Sequence, residues 1–199
     1  MAVTMDQVKT LREMTSCGVG DCKKALDETG GDIEKAVEWL LKKGISKGEA
    51  KAGRATAQGA IASYIHGGKI GVMVEVSCET DFVAKNDVFQ SYLKDLCMHV
   101  AATVPTPTAV SKDEFPKDLV EKERAVLAEA EDVKAKPEKQ RPKIVEGRVE
   151  KFIKERCLTE QPFVKDPSRT VGEVHKEMMG KIGENMIIRR FVRWTLGGA

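Results

Sequence analysis

Two stretches of alternating apolar and polar residues meet at Gly67-Gly68, and this junction constrains the fold more than any other feature of the chain. Within Lys69 to Cys78, the residues Ile70, Val72, Val74 and Val76 share one face, because successive side chains of an extended strand point to opposite sides. Gln58 to His66 alternates in the same way. Glycine tolerates the positive φ of a tight turn, so the pair predicts a β-hairpin with strands at about 58–66 and 69–78. Two strands alone are marginal in water, and a third is required. Met186 to Trp194 supplies it. Ile188, Val192 and Trp194 alternate there, with Arg189, Arg190, Phe191 and Arg193 around them, giving a strand at about 186–195.

The rest of the chain reads at helical spacing, so the fold class expected is α+β with an antiparallel sheet. Residues 1–45 predict an N-terminal domain of three short helices. Val8, Leu11, Arg12 and Met14 sit on the first, with Thr4 or Asp6 as its cap. Gly18-Val19-Gly20 breaks it, Asp21 caps the second helix from Cys22 to Thr29, and Gly30-Gly31 stops that one. Asp32 caps the third, which carries Ile33, Ala36, Val37, Leu40 and Leu41 and ends at Gly44. Such a bundle is similar to a ubiquitin-associated domain, and so small a module presents surface rather than building a pocket. Residues 46–56 read as a linker helix, and residues 57–199 as the core domain.

Within that core, Asn86 caps a helix running to about Thr103, with Phe89, Leu93, Leu96, Cys97 and Val100 on its apolar side, and Pro105 and Pro107 follow it. Residues 117–158 predict a helical hairpin of coiled-coil type. Leu119, Val126 and Val133 repeat at sevens on one arm, Val145, Val149 and Phe152 line the other, and Pro137 and Pro142 mark the turn. Val171 to Ile182 is a last helix before the final strand.

Charge excludes some functions. Lys and Arg number 33 against 31 Asp and Glu, a net charge of only +2, which does not announce a nucleic-acid binder. No run approaches the roughly 20 apolar residues of a membrane span. The opening Met-Ala-Val-Thr-Met-Asp lacks the zones of a secretory signal, and the compartment expected is the cytoplasm. The five cysteines, Cys17, Cys22, Cys78, Cys97 and Cys157, are odd in number and irregular in spacing, so reduced thiols are expected rather than a disulfide framework or a zinc site. His66, His99 and His175 are dispersed and suggest no catalytic triad. Gly67-Gly68-Lys69 lacks the spacing of a phosphate loop, so the chain is not expected to bind nucleotide itself.

One segment invites a functional reading. Glu79 to Asn86 follows a strand, precedes a helix and carries Phe82 outside both periodic patterns. Either Asp81 caps a turn and Phe82 tucks under its own domain, or a partner buries the ring for roughly 1.5–3 kcal/mol. Arg189, Arg190 and Arg193 form a basic patch that reads as a solvated strand face, an edge guard or an RNA contact. His99 reads as a helix-surface or semi-buried histidine.

The string Glu75-Val76-Ser77-Cys78-Glu79-Thr80-Asp81-Phe82-Val83-Ala84-Lys85 resembles the signature of the elongation factor Ts family. So do Leu11-Arg12-Glu13, Asp21-Cys22-Lys23-Lys24-Ala25-Leu26, Met98-His99-Val100-Ala101-Ala102, Val145-Glu146-Gly147-Arg148, Leu158 to Val164, Gly183-Glu184-Asn185 and Ile188-Arg189-Arg190. These blocks fall in family order along nearly the whole chain. The resemblance implies a non-enzymatic exchange factor with no cofactor and no metal of its own, whose partner is elongation factor Tu. It assigns Thr80, Asp81, Phe82 and Val83 to dislodging Mg²⁺ from the partner's GDP site, with Phe82 as the wedge. It matches Arg12, Val19, Gly20 and Lys23 to docking contacts, and Ile70, Gly71 and His99 to further contacts. Val19-Gly20 stands where some members carry bulkier apolar residues. The chain resembles short members, which keep one strand hairpin and one terminal strand, and a sheet with one uncovered face implies a homodimer unless the chain's own last helices cover it. A ubiquitin-binding adaptor would explain only the first helices, and an RNA-binding translation protein would need more positive charge.

Overall fold

The computed structural model describes residues 3–15 and 17–198 and shows two compact units. The first takes in the chain up to Thr56 together with Glu173–Met186, and the second takes in Ala57–Gly172 and the chain from Ile187 onward.

In the first unit, α1 (Met5–Thr15) opens on a reciprocal cap. Thr4 Oγ1 accepts the N–H of Gln7 at 3.2 Å, while Gln7 Oε1 accepts the N–H of Thr4 at 2.9 Å, so two orphan donors of the first turn are satisfied together. Val8 and Leu11 turn inward, whereas Met14 is exposed. They pack on Cys22, Ala25 and Leu26 of α2 (Val19–Glu28) and on Ala36 and Leu40 of α3 (Ile33–Glu49). The expected cap at Asp21 is a correction: α2 starts after Gly18, and Asp21 lies in its first turn, where its carboxylate holds Lys43 at 2.8 Å and Lys47 at 2.9 Å. Asp32 does cap α3, accepting the N–H of Lys35 at 3.1 Å.

The third helix does not stop at Gly44. It runs to Glu49, absorbing the first part of the expected linker helix, and only short turns follow. The reason is tertiary. A helix near the end of the chain, Val171–Ile182, crosses α3 so closely that a Cβ on Gly180 would strike the Gly44 carbonyl, and one on Gly48 would strike the Lys176 carbonyl. These glycines permit an approach of two backbones; they do not end a helix. Residues 173–186, placed by sequence in the core domain, therefore belong with the first unit.

The second unit is built on the hairpin of β1 (Gln58–His66) and β2 (Ile70–Cys78). Gly67 and Gly68 have φ of 55° and 69°, and Lys69 donates back to the His66 carbonyl at 3.0 Å. After β2 come the single turn α4 (Asp81–Ala84) and the long α5 (Asp87–Ala102). α5 lies across the hairpin, seating Phe89, Leu93, Leu96 and Val100 in the same core as Val72, Val74 and Val76.

α6 (Lys117–Glu129), α7 (Glu131–Lys134) and α8 (Arg141–Arg156) form the helical hairpin. Val126 is exposed, contrary to the heptad expected of it, and the buried stripe passes through Val120, Leu127 and Val133 onto Val145 and Val149. The break at Ala130 resets the helical phase, so a strict repeat of seven does not survive it. A small ladder of β3 (Pro162–Phe163) and β4 (Asp166–Thr170), unanticipated from sequence, leads into α9 (Val171–Ile182). β5 (Met186–Thr195) then joins the free edge of β2, giving a three-stranded sheet in the order β1-β2-β5.

Candidate functional site

The segment after β2 is fixed from beneath and bare on top. Thr80, not Asp81, caps α4, its hydroxyl accepting the N–H of Val83 at 3.4 Å. The Cys78 thiol donates to the Thr80 carbonyl at 3.1 Å, and Gln90 Nε2 donates to the Ala84 carbonyl at 2.6 Å. Ala84 is buried against the hairpin, and Asn86 Oδ1 accepts the N–H of Val88 at 2.8 Å to start α5. On this footing Phe82 is 83% exposed. The ring does not tuck under its own domain. Beside it Asp81 pairs with Lys85 at 2.9 Å, and that hydrogen bond holds the carboxyl below its ordinary range. Val83 is half-buried.

Ile70 and Gly71 lie at the far end of β2 from this turn. Eight strand steps separate Ile70 from Cys78, about 27 Å at the usual rise, so the two sets form separate patches. Gly71 is on the outer face of the sheet between Ile65 and Trp194 side chains. His99 is fully buried. Its Nδ1 accepts the N–H of Val164 at 3.2 Å, and its Nε2 lies 3.1 Å from Gln161 Oε1. Burial lowers its pKa, opposed by the bond to Gln161, and the neutral ring braces the loop that carries Phe163 and Val164. Any part His99 plays in recognition runs through that loop.

In the first unit Arg12, Val19, Gly20 and Lys23 are all exposed. Val19 and Lys23 are one turn apart on α2 and share a face. Arg12 lies close enough to Cys22 to oppose the upward push of burial on that thiol. The four residues thus flank the junction between α1 and α2.

The arginines of β5 do not form one patch. Arg190 pairs with Glu75 at 2.6 Å, Arg189 donates to Ser77 Oγ at 2.8 Å, and Arg193 donates to Thr106 Oγ1 at 3.0 Å. Among the described residues, no group of three His, Cys, Asp or Glu side chains could hold a metal ion, and no helix is long and apolar enough to cross a membrane. Sequence reasoning missed Gln161, which orders the loop around His99 by donating also to the carbonyls of Pro105 and Glu155. Its only sequence signal was its place in the Leu158 to Val164 block.

A family model described as Elongation factor TS matches residues 45–198. Elongation factor Ts of Synechococcus sp. (strain CC9902) is 53% identical over 197 residues, covering 98% of this chain and 90% of the relative. That of Geobacter sulfurreducens is 52% identical over 198 residues, covering 99% and 91%. That of Prochlorococcus marinus (strain MIT 9312) is 52% identical over 196 residues, covering 98% and 89%. Carrying the family's signature at the turn that bares Phe82, and alike to these relatives almost from end to end, this chain belongs to the elongation factor Ts family.

Proposed function

We propose that this chain binds elongation factor Tu carrying GDP and hastens GDP release by setting Phe82 beside the partner's magnesium site. The exchange role follows from family membership, and an exchange factor of this family makes and breaks no covalent bond. The displacement of Mg²⁺ rests on one observation: Phe82 stands 83% exposed on a turn whose backbone is pinned from below. Burying such a ring in a partner offsets a rearrangement there. Mg²⁺ is the largest local charge at a GTPase phosphate site, so misplacing its ligands weakens the hold on GDP. By linkage, GDP and the factor must weaken each other to the same degree. Thr80, Asp81 and Val83 set the pose of the ring. Arg12, Val19, Gly20 and Lys23 supply docking affinity, and Ile70, Gly71 and the loop braced by His99 form a second contact.

The outer face of the sheet carries Ile61, Ile65, Met73, Val192 and Trp194, all exposed. Ile65 and Trp194 flank Gly71, so the apolar surface continues across the three strands. A second copy of the chain meeting it face to face would bury this surface on both partners, and we assign the homodimer to it. The setting is cytoplasmic, where elongation proceeds, and the factor itself takes no nucleotide and no nucleic acid.

Release of labelled GDP from purified elongation factor Tu tests the wedge. Wild type accelerates release, and Phe82→Ala loses about ten- to a hundredfold of the effect, the equivalent of one buried phenylalanine. The circular dichroism spectrum is unchanged, because the ring makes little of the fold. Full activity in Phe82→Ala would leave an exchange factor without this wedge.

A further inference from the structure

A cavity of about 470 Å³ lies beside the hairpin turn, lined in part by Tyr64, Ile70, Val164 and Arg193. The Arg193 guanidinium is held only by neutral groups. Its Nη1 donates to Thr106 Oγ1 at 3.0 Å, its Nη2 is 3.5 Å from the Ala101 carbonyl, and its Nε is buried with no acceptor. No carboxylate pairs with it among the described residues, whereas Arg190 has Glu75 and Lys165 has Asp95. Buried donors are almost always satisfied, so an orphaned one calls for an explanation. Lys165, itself paired with Asp95, and His66 also line the cavity, and two apolar side chains stand at its rim, Val104 at 89% and Val164 at 41% exposed. An arginine without a carboxylate, beside Val104 and Val164, fits an acidic side chain flanked by apolar neighbours.

The geometry points to this cavity as the docking pocket for an Asp or Glu side chain presented by elongation factor Tu. The inference rests on the reading of that protein as the partner. The arriving carboxylate supplies the charge that the fold omits, in a site partly shielded from water, where such a pair discriminates between partners most sharply. Nε is covered in the free chain, so a carboxylate reaches it only as the planar guanidinium moves as a unit, exchanging its neutral contacts to Thr106 and Ala101 for the charged one. Apolar neighbours of the acidic residue settle on Val104 and Val164. Ile70 thereby contributes a pocket wall, and the second contact gains a charge requirement that a flat apolar patch would not have.

The test measures binding of elongation factor Tu–GDP to the full chain with rim variants of opposite charge. Val104 is too exposed for either to harm the fold. Val104→Lys tightens binding and Val104→Asp weakens it, each about threefold or more at low salt, and both effects shrink as salt rises. Arg193→Gln weakens binding at least about tenfold. In spectra of arginine-labelled protein, the Nε–H resonance of Arg193 moves when the partner is added. Rim variants that both bind like wild type, or that shift in the same direction, overturn the proposal. So does acetate alone moving the Arg193 resonance as far as the partner does, with both rim variants neutral; the pocket would then take a free small anion. A wild-type chain that fails to bind elongation factor Tu defeats the function proposed above. A wild-type chain that binds and exchanges with neutral rim variants defeats only the pocket.

Discussion

Gln90 Nε2 donates to the Ala84 carbonyl at 2.6 Å, tying the first turns of α5 to the end of α4 just beneath the exposed Phe82. The bond fixes the ring's platform without touching the ring. Gln90→Ala should therefore lower GDP exchange although Phe82 is intact, and cost about 0.5–1.5 kcal/mol of stability, as one ordinary hydrogen bond does. Thr80→Ala removes the cap of the same turn and should act alike, near the low end of the ~0.5–2 kcal/mol typical of caps because its bond is long. Exchange at wild-type rate in both variants would show that the platform's rigidity is irrelevant.

The crossing of α3 and α9 gives a graded set of substitutions. Gly44→Ala meets Glu177 Cγ at 3.3 Å and its Cα at an ordinary 3.8 Å, so only a shift of a few tenths of an ångström is needed and the gain in helix propensity offsets the crowding. Gly48→Ala and Gly180→Ala drive a methyl into backbone carbonyls of the facing helix and should each cost about 1–3 kcal/mol. Thermal melting of the three variants checks the order. Equal melting points would mean that the helices part freely.

Two histidines make the fold acid-sensitive. His175 donates from Nε2 to the Met186 carbonyl at 2.8 Å, yet burial outweighs that bond and pushes its pKa down to about 4. His99 is lowered for the same cause. Both bind a proton more readily unfolded than folded. Their contribution is complete above the unfolded value near 6.5 and is lost as pH falls through the lower folded values. The melting temperature should thus drop between pH 7 and pH 4, and less steeply in His175→Gln. A proton NMR titration placing His175 near 6.5 would contradict this.

If the outer face of the sheet joins two copies, Trp194→Asp and Ile65→Asp place buried charges at the joint. Light scattering should then read half the wild-type mass, with helix and strand content kept. A wild-type chain that already scatters as a monomer removes the dimer.

Local pattern made the hairpin readable. Period two on either side of Gly67-Gly68 and the demand for a third strand are decided within a few residues of each position. Gly44 misled because its neighbour, Gly180, is distant in sequence, and a glycine that admits a second helix reads the same as one that ends the first. Val126 misled because the break at Ala130 changed the phase of the stripe. At the candidate site, the strings marked which turn mattered, but not which way Phe82 faced. That depended on Cys78, Ala84 and Gln90 filling the space below it. Arg193 looked like one of three similar arginines, and its lack of a carboxylate among the described residues is visible only once Glu75 has gone to Arg190.

The strand order has a bearing on synthesis. β1 and β2 can pair as soon as they are made, and α5 can cover them soon after. The second edge of β2 must wait for β5, which follows only after α4 to α9. A growing chain therefore carries an open edge on β2 throughout the synthesis of α4 to α9. Open edges of this kind template pairing with other chains. The arrival of β5 thus decides when the inner edge of β2 stops being available to other chains, and slow or incomplete translation of that strand should show first as insoluble protein rather than as weak exchange.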